Sequence, residues 1–205
     1  MKTTGIYGFY PVVDDVRWLR RFLPLGVRTI QLRIKNQSAT EVRRQIREAL
    51  TIAADYPDCQ LIINDYWQIA LEEGATWLHL GQEDLANADR AAIRAAGIKL
   101  GISTHSPEEL AIALAAAPDH IALGPIYPTT LKQMPWSPQG LARIGEWKAR
   151  CGVPLIAIGG ITLEQAPAVL AAGADAIAVV SDVLSAPVPD ARARAWLDWF
   201  QLNGQ

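Results

Sequence analysis

Cysteine, histidine and methionine are all scarce in this chain of 205 residues, which has two Cys, three His and two Met. Cys59 and Cys151 stand far apart, with no CxxC spacing and no third thiol near either, so neither a disulfide framework nor a zinc site has support. An excess of charge of one sign is also lacking. With Lys+Arg 19 against Asp+Glu 21, the net charge is -2, so no global field recruits nucleic acid or an anionic membrane. Any anionic ligand must be held by local charges. No segment approaches the ~20 consecutive apolar residues of a membrane span. Met1 to Val13 carries a single Lys, an apolar stretch broken by Pro11 and no small-residue cleavage site, from which a cytoplasmic protein is expected. A Gly-rich dinucleotide fingerprint is missing after the first apolar run, where Pro11-Val12-Val13-Asp14-Asp15 occupies the turn.

What the chain does have is apolar mass and rhythm. Half of it is hydrophobic and 20% charged, enough to bury a large core. Strand-like runs recur at Gly5 to Val13, Thr29 to Ile34, Gln60 to Asn64, Trp77 to Leu80, Lys99 to Thr104, Ile121 to Ile126, Leu155 to Gly159 and Ala176 to Ser181. Helical periodicity fills the gaps, clearest in Thr40 to Ala54, Asn87 to Ala96, Pro107 to Ala116, Pro138 to Arg150 and Leu163 to Ala171, with a final helix over Pro189 to Leu202. Gly26, Gly74, Gly97, Gly152 and Gly173 stand as helix stops before the next strand. Eight apolar strands alternating with helices predict an α/β fold with a parallel sheet covered on both faces, and the count of eight points to a closed (β/α)₈ TIM barrel. A doubly wound open sheet is the runner-up. At about 26 residues per βα unit, little is left for an insertion, so residues 1–205 are expected to form a single barrel domain.

In such a barrel the active site is built at the C-terminal ends of the strands. Polar residues gather there. Asn64-Asp65 ends the third run, and Gly81-Gln82-Glu83-Asp84 follows the fourth. Two carboxylates on neighbouring strand ends repel each other unless a cation sits between, and hard oxygen ligands suit Mg²⁺, which makes Asp65 and Asp84 the candidate metal pair. Asp65 equally has the position of a cap for the helix beginning at Tyr66. On the second strand Gln31, Arg33 and Lys35 alternate and so share one face, while Ile30, Leu32 and Ile34 need burial against helices. An exposed edge gives the same alternation, but a barrel mouth accounts for both faces. His79 reads as an interior histidine rather than a ligand. Ser103 ends the fifth strand, where a hydroxyl can donate to phosphate. After the sixth comes G-P-I-Y-P-T-T-L-K-Q-M-P-W-S-P-Q-G at 124–140, a proline-stiffened loop whose Thr129, Thr130 and Lys132 suit a lid over phosphate. Gly159-Gly160 and Val180-Ser181 follow the last two strands, where this fold recurrently holds phosphate. A phosphate cradle, a basic cluster and a carboxylate pair together exceed what one monophosphate needs. They suit a monophosphate beside a Mg²⁺-bound pyrophosphate, and hence transfer of a group from a pyrophosphate to a phosphorylated acceptor.

These residues carry a resemblance. Q-L-R-I-K at 31–35, I-N-D at 63–65, H-L-G-Q-E-D at 79–84, S-T-H at 103–105, G-P-I-Y-P-T-T-L-K at 124–132, I-G-G-I at 158–161 and V-V-S at 179–181 together resemble the thiamine-phosphate synthase family, in order and across nearly the whole chain. The resemblance implies a transferase that couples 4-amino-2-methyl-5-pyrimidinylmethyl diphosphate with a 4-methylthiazole ethyl phosphate, giving thiamine phosphate and pyrophosphate. It implies a dissociative course, in which pyrophosphate leaves before the thiazole nitrogen attacks, and no general base. By matching position it assigns Gln31 to the pyrimidine, and Arg33, Lys35, Asn64, Ser103 and Lys132 to the pyrophosphate. Asp65 and Asp84 would hold Mg²⁺, and Thr129, Gly160, Val180 and Ser181 the thiazole phosphate. The family's threonine before the loop lysine is replaced by Leu131, which predicts weaker acceptor binding. Asp182 stands beside the phosphate cradle and has to be paired or turned away.

A thiazole tautomerase of the same superfamily would need the cradle but not Lys35, Asn64, Asp65 and Asp84. A sensor that binds the precursors without turnover is the rival from another class, and ligand binding without product release would mark it. The partners expected are small phosphate and pyrophosphate substrates, with no nucleic acid and no membrane. Neither the oligomeric state, in which a homo-oligomer is allowed, nor any carboxylate on the thiazole is written in the sequence.

Overall fold

Eight parallel strands close on themselves in sequence order, β1 pairing with both β2 and β8, in the computed structural model of the chain, which describes residues 6, 8–129 and 136–203. The strands are β1 (Gly8–Val13), β2 (Thr29–Leu32), β3 (Gln60–Asn64), β4 (Trp77–Leu80), β5 (Lys99–Thr104), β6 (His120–Leu123), β7 (Leu155–Ile158) and β8 (Ala176–Val179). Around them run α1 (Arg17–Phe22), α2 (Ala39–Ala54), α3 (Trp67–Glu72), α4 (Gln82–Asn87), α5 (Arg90–Ala95), α6 (Pro107–Ala115), α7 (Gly140–Lys148), α8 (Ala166–Ala171), α9 (Ser181–Leu184) and α10 (Pro189–Leu202). The closed barrel expected from the sequence is the fold observed. The open doubly wound sheet is not.

Strand alternation divides the core into two layers. Outward-facing Ile30, Leu32, Ile63, Leu78, Leu100, Ile121 and Ile177 pack against the helices, together with Phe22, Trp147 and Trp196. Inside the barrel Tyr10, Val12, Ile62, Trp77, Ala122, Ile156, Ala176 and Ala178 form a separate cluster. Small residues on β6 and β8 make room for the rings of Tyr10 and Trp77, so the barrel is filled rather than hollow. Towards the strand ends the interior turns polar, with Gln31, Asn64 and His79 buried there.

Local signals account for several helix boundaries. Ser38 caps α2 by accepting from the Glu41 amide at 3.2 Å, and Val42, Ile46 and Ala49 bury one stripe. Of the five expected stop glycines, Gly26, Gly74, Gly97 and Gly173 take positive φ, and Gly152 does not. Two differences matter for function. The helix expected over Asn87 to Ala96 starts later, as α5 at Arg90, and a separate helix precedes it: Ala88 is extended, and Asp89 caps α5 by accepting from the Ala92 amide at 2.9 Å. The earlier piece, α4, places Asp84 in its first turn. The short α9, after β8, was not expected; in it the cap carbonyl of Val180 accepts from Val183 and Leu184. Among the described residues, no helix is long and apolar enough to cross a membrane.

Candidate active site

Gln31, Arg33 and Lys35 step outward from the barrel interior to its mouth. Gln31 is buried, Arg33 half-buried and Lys35 exposed, while Ile30, Leu32 and Ile34 are buried on the opposite face. The mouth reading of that alternation is the one observed; a β2 edge does not exist in a closed barrel. The Gln31 amide donates to the Tyr10 hydroxyl at 2.6 Å, and burial pushes the Tyr10 phenol well above its ordinary pKa, with the Gln31 bond opposing. A neutral, immobile phenol thus orients Gln31.

Asp65 follows β3 with a φ of 66°, in the left-handed region that non-glycine residues rarely enter. Its side chain does not cap α3, whose first residue has no side-chain cap. It pairs instead with Lys35, and it touches the carboxyl of Asp84. Burial first, and then the charge and contact of Asp65, push the Asp84 carboxyl above the usual carboxylate range, with Lys35 opposing. Carboxylates from two strand ends have therefore been brought together, with a cation against one of them. The metal pair singled out in the sequence is a pair in space, and the capping alternative is not observed. Among the described residues no group of three or more His, Cys, Asp or Glu gathers to hold a metal. Two carboxylates completed by substrate oxygens and water are the kind of donor set that Mg²⁺ accepts.

Asn64 is buried one residue before, in register with His79 of β4. Ser103, on β5, is half-buried at the mouth; its hydroxyl lies 2.8 Å from His79 Nε2, and its carbonyl accepts from Gln82 Nε2 at 2.7 Å. His79 Nδ1 in turn lies 3.1 Å from Nε2 of His120, deep in the barrel. Burial holds His79 down to about 4 and His120 well below its ordinary value, so both rings are neutral near neutral pH. His79 is the interior histidine the sequence suggested. Tyr10, Gln82 and His120 were not selected from the sequence as site residues, and only the inward alternation of β1 and β6 could have pointed to the first and last of these.

On the other side of the mouth, Ile158-Gly159-Gly160-Ile161 packs against the start of the loop after β6. Ile126 N–H donates to the Ile158 carbonyl at 3.0 Å and Tyr127 N–H to the Gly159 carbonyl at 2.9 Å. A Cβ at Gly159 would come within 2.6 Å of Pro125, and one at Gly160 within 2.8 Å of the Tyr127 carbonyl, so the glycines are needed for close approach of backbone to backbone. Thr129 lies at the end of that described segment. Thr130, Leu131 and Lys132 lie outside the described residues. Val180 and Ser181 stand at the start of α9, where first-turn amides have no carbonyl partner within the helix. Asp182 is turned away from them: its carboxylate accepts from Arg192 at 2.9 Å and from Trp196 Nε1 at 2.7 Å. Trp136 stacks on His105, ring centroids 5.9 Å apart, and His105 Nδ1 is 2.8 Å from Glu109.

A family model described as thiamine monophosphate synthase matches residues 9–183. A thiamine-phosphate synthase of Rhizobium etli is 56% identical over 190 residues, which cover 92% of this chain and 93% of that protein. One from Cronobacter sakazakii is 52% identical over 181 residues, covering 88% and 86%. The solved thiamine phosphate pyrophosphorylase from Pyrococcus furiosus superposes with a TM-score of 0.84 at 27% identity, covering 96% of both chains. A 3-hexulose-6-phosphate synthase, at 15% identity and a TM-score of 0.66, shares the fold alone. With a family model running from β1 into α9 and relatives more than half identical along most of their length, this chain belongs to the thiamine-phosphate synthase family.

Proposed function

We propose that the barrel mouth joins a pyrimidinylmethyl diphosphate to a thiazole ethyl phosphate, releasing pyrophosphate and thiamine phosphate. The observation that carries this reading is the convergence, at the ends of β2 to β5, of Gln31, Arg33, Lys35, Asn64, Asp65, Asp84 and Ser103, in a chain 56% identical to a thiamine-phosphate synthase.

Each residue has a task that follows from its position. Gln31, with its amide donated to Tyr10, presents its carbonyl oxygen to the amino group of the pyrimidine. Arg33, Asn64 and Ser103 supply donors to the diphosphate, as Lys132 does from the loop. When the carbon–oxygen bond breaks, its electron pair leaves with pyrophosphate, and the negative charge developing on that oxygen is what the donors stabilise. The pyrimidinylmethyl cation left behind is captured by the thiazole nitrogen, whose lone pair forms the new bond. Nothing has to remove a proton in that sequence, and the neutral buried His79 and His120 are consistent with a site that lacks a general base. Thr129, Gly160 and the amides at Val180-Ser181 hold the phosphate of the thiazole. Asp65 and Asp84 are the residues that would hold Mg²⁺, which when bound neutralises oxygens of the departing pyrophosphate. Lys35 holds Asp65 in place through their ion pair.

Pyrophosphate release measured with and without the thiazole phosphate and Mg²⁺, for the unmodified chain and Asp65→Ala, tests the reading. Release that needs acceptor and metal and collapses in the variant supports it. Binding of both precursors with no release under any condition overturns it in favour of a precursor sensor.

A further inference from the structure

Three polar side chains run in line from the barrel core to its mouth: His120 Nε2 lies 3.1 Å from His79 Nδ1, and His79 Nε2 lies 2.8 Å from Ser103 Oγ. The chain has one loose end. His120 Nδ1 is buried with no hydrogen-bond partner among the described residues, and the ring meets aromatic neighbours there, Tyr10 at 6.4 Å and Trp77 at 5.9 Å between centroids. We propose that His120, acting through His79, fixes the Ser103 hydroxyl as a hydrogen-bond donor directed into the mouth of the barrel.

The orphaned atom sets the direction of every bond in the line. A neutral imidazole carries one N–H and one lone pair, so each ring must donate on one side and accept on the other. If His120 held its proton on Nδ1, an N–H would be buried without an acceptor, an arrangement that folded proteins rarely contain. With the proton on Nε2 the unpaired atom is a lone pair among aromatic rings, and Nε2–H donates to His79 Nδ1. His79 is thereby left with its proton on Nε2, which donates to Ser103 Oγ. Ser103 accepts on its inner side, and its own O–H is available only on the outer one. In the reverse polarity Ser103 would donate inward to His79 and turn lone pairs towards the mouth, where they would repel a phosphate oxygen.

The surroundings keep the line in place. Gly101 lies beside His79 and His120 in strand register, and a Cβ there would overlap the His120 ring and come within 2.7 Å of His79 Nδ1. Burial keeps both rings neutral, and Gln82 clamps the Ser103 carbonyl from α4. His120 is thus a positioning residue, too deep to touch a substrate. Its functional half rests on the proposed role of Ser103 towards pyrophosphate; the polarity of the line does not.

Two measurements separate these. Nitrogen-15 NMR of histidine rings in the unmodified protein reads protonation directly and needs no variant to fold: His120 is expected to carry its proton on Nε2 with a bare Nδ1, and His79 to match it. A proton on His120 Nδ1 overturns the proposal whatever the activity. Steady-state kinetics of His120→Phe, Ser103→Ala and the double variant then form a cycle. His120→Phe is expected to lower kcat by about tenfold with little change in KM for the pyrimidine diphosphate, as befits one misdirected hydrogen bond that matters when charge develops. The loss should disappear in the Ser103→Ala background, and His120→Gln, whose amide can donate from the same place as Nε2, should recover most of the rate. An equal loss from His120→Phe with or without Ser103 overturns the coupling. If Ser103→Ala alone leaves turnover unchanged, the pyrophosphate role of Ser103 falls, and the functional half of the proposal with it, while the NMR result still decides the polarity.

Discussion

Lys35 and Asp65 form an ion pair across the ends of neighbouring strands, the lysine 44% exposed and the carboxylate 13%. Asp84 leans on the same carboxylate from the first turn of α4. Lysine therefore occupies electrostatically part of the place a divalent cation would take, and on the proposed function Mg²⁺ would compete with Lys35 for Asp65 until a pyrophosphate engages both.

That competition has a measurable sign. Lys35→Met removes a positive charge beside the carboxylate pair, so affinity for Mg²⁺ without substrate should rise by about fivefold, as expected for one nearby charge screened at the protein surface. Turnover should fall at the same time. Calorimetric titration of the substrate-free protein checks the first half, and weaker metal binding in the variant would show that Lys35 assembles the pair rather than competing for it. Because the lysine is well exposed, the loss of stability should stay within about 1 kcal/mol.

Gly160→Ala tests the contact between the loops after β6 and β7. Gly160 has a φ of 67°, and an added methyl would press on the Tyr127 and Pro128 carbonyls. Positive φ alone costs about 1 kcal/mol for an L-residue, and displacement of backbone adds to it. The expected outcome is a loss of about 2–4 kcal/mol in urea unfolding. KM for the thiazole phosphate should rise by more than KM for the pyrimidine diphosphate, since only the first is assigned to this side of the mouth. Equal rises would detach Gly160 from the acceptor.

Gly101→Ala tests the packing of the buried histidines. Here φ is ordinary, so any cost comes from collision with His120 rather than from the backbone. A loss of about 2–3 kcal/mol is expected, typical of overpacking a filled core. His120→Ala in the same chain should return a good part of it, a non-additivity that two independent losses would not produce.

Much of this was legible beforehand because strand period and strand ends are local. The alternation Gln31, Arg33, Lys35 against Ile30, Leu32, Ile34 is fixed by the pleat, so once the barrel closes, the polar set has only the interior and the mouth to occupy. Asp65 was separable from a capping residue only by the company it keeps, and the cation that pairs with it is 30 residues distant in sequence, on another strand end. The helix expected over Asn87 to Ala96 begins later, at Arg90, for a local reason: periodicity runs on through Ala88, whereas the chain is capped at Asp89. Asp182 needed α10, whose Arg192 and Trp196 reach back to it. For His120 the sequence offers no more than an inward position on β6. Nothing in Asp119-His120-Ile121 says that the ring will face a histidine two strands away across a glycine. That glycine carries the information, and it reads as an ordinary strand residue until the neighbouring rings are placed.

The same buried pair predicts how stability responds to acid. His79 is held down to about 4 in the folded chain, and His120 also lies well below its ordinary value of 6.5, in both cases through burial. The unfolded chain therefore binds protons that the folded chain refuses, and stability falls as pH drops from about 6.5 towards 4, the reverse of a histidine that gains an acidic partner on folding. His79 should cost about 2 kcal/mol on going from about pH 7.5 to about pH 5, and His120 adds a loss of the same sign. Urea unfolding at the two pH values measures this directly. His120→Phe removes one of the two groups, so its stability should change less over the same interval, whatever its absolute value. A variant with the full dependence would mean that His120 finds a proton in the folded barrel, and that its unpaired nitrogen is not the lone pair on which the polarity of the line to Ser103 depends.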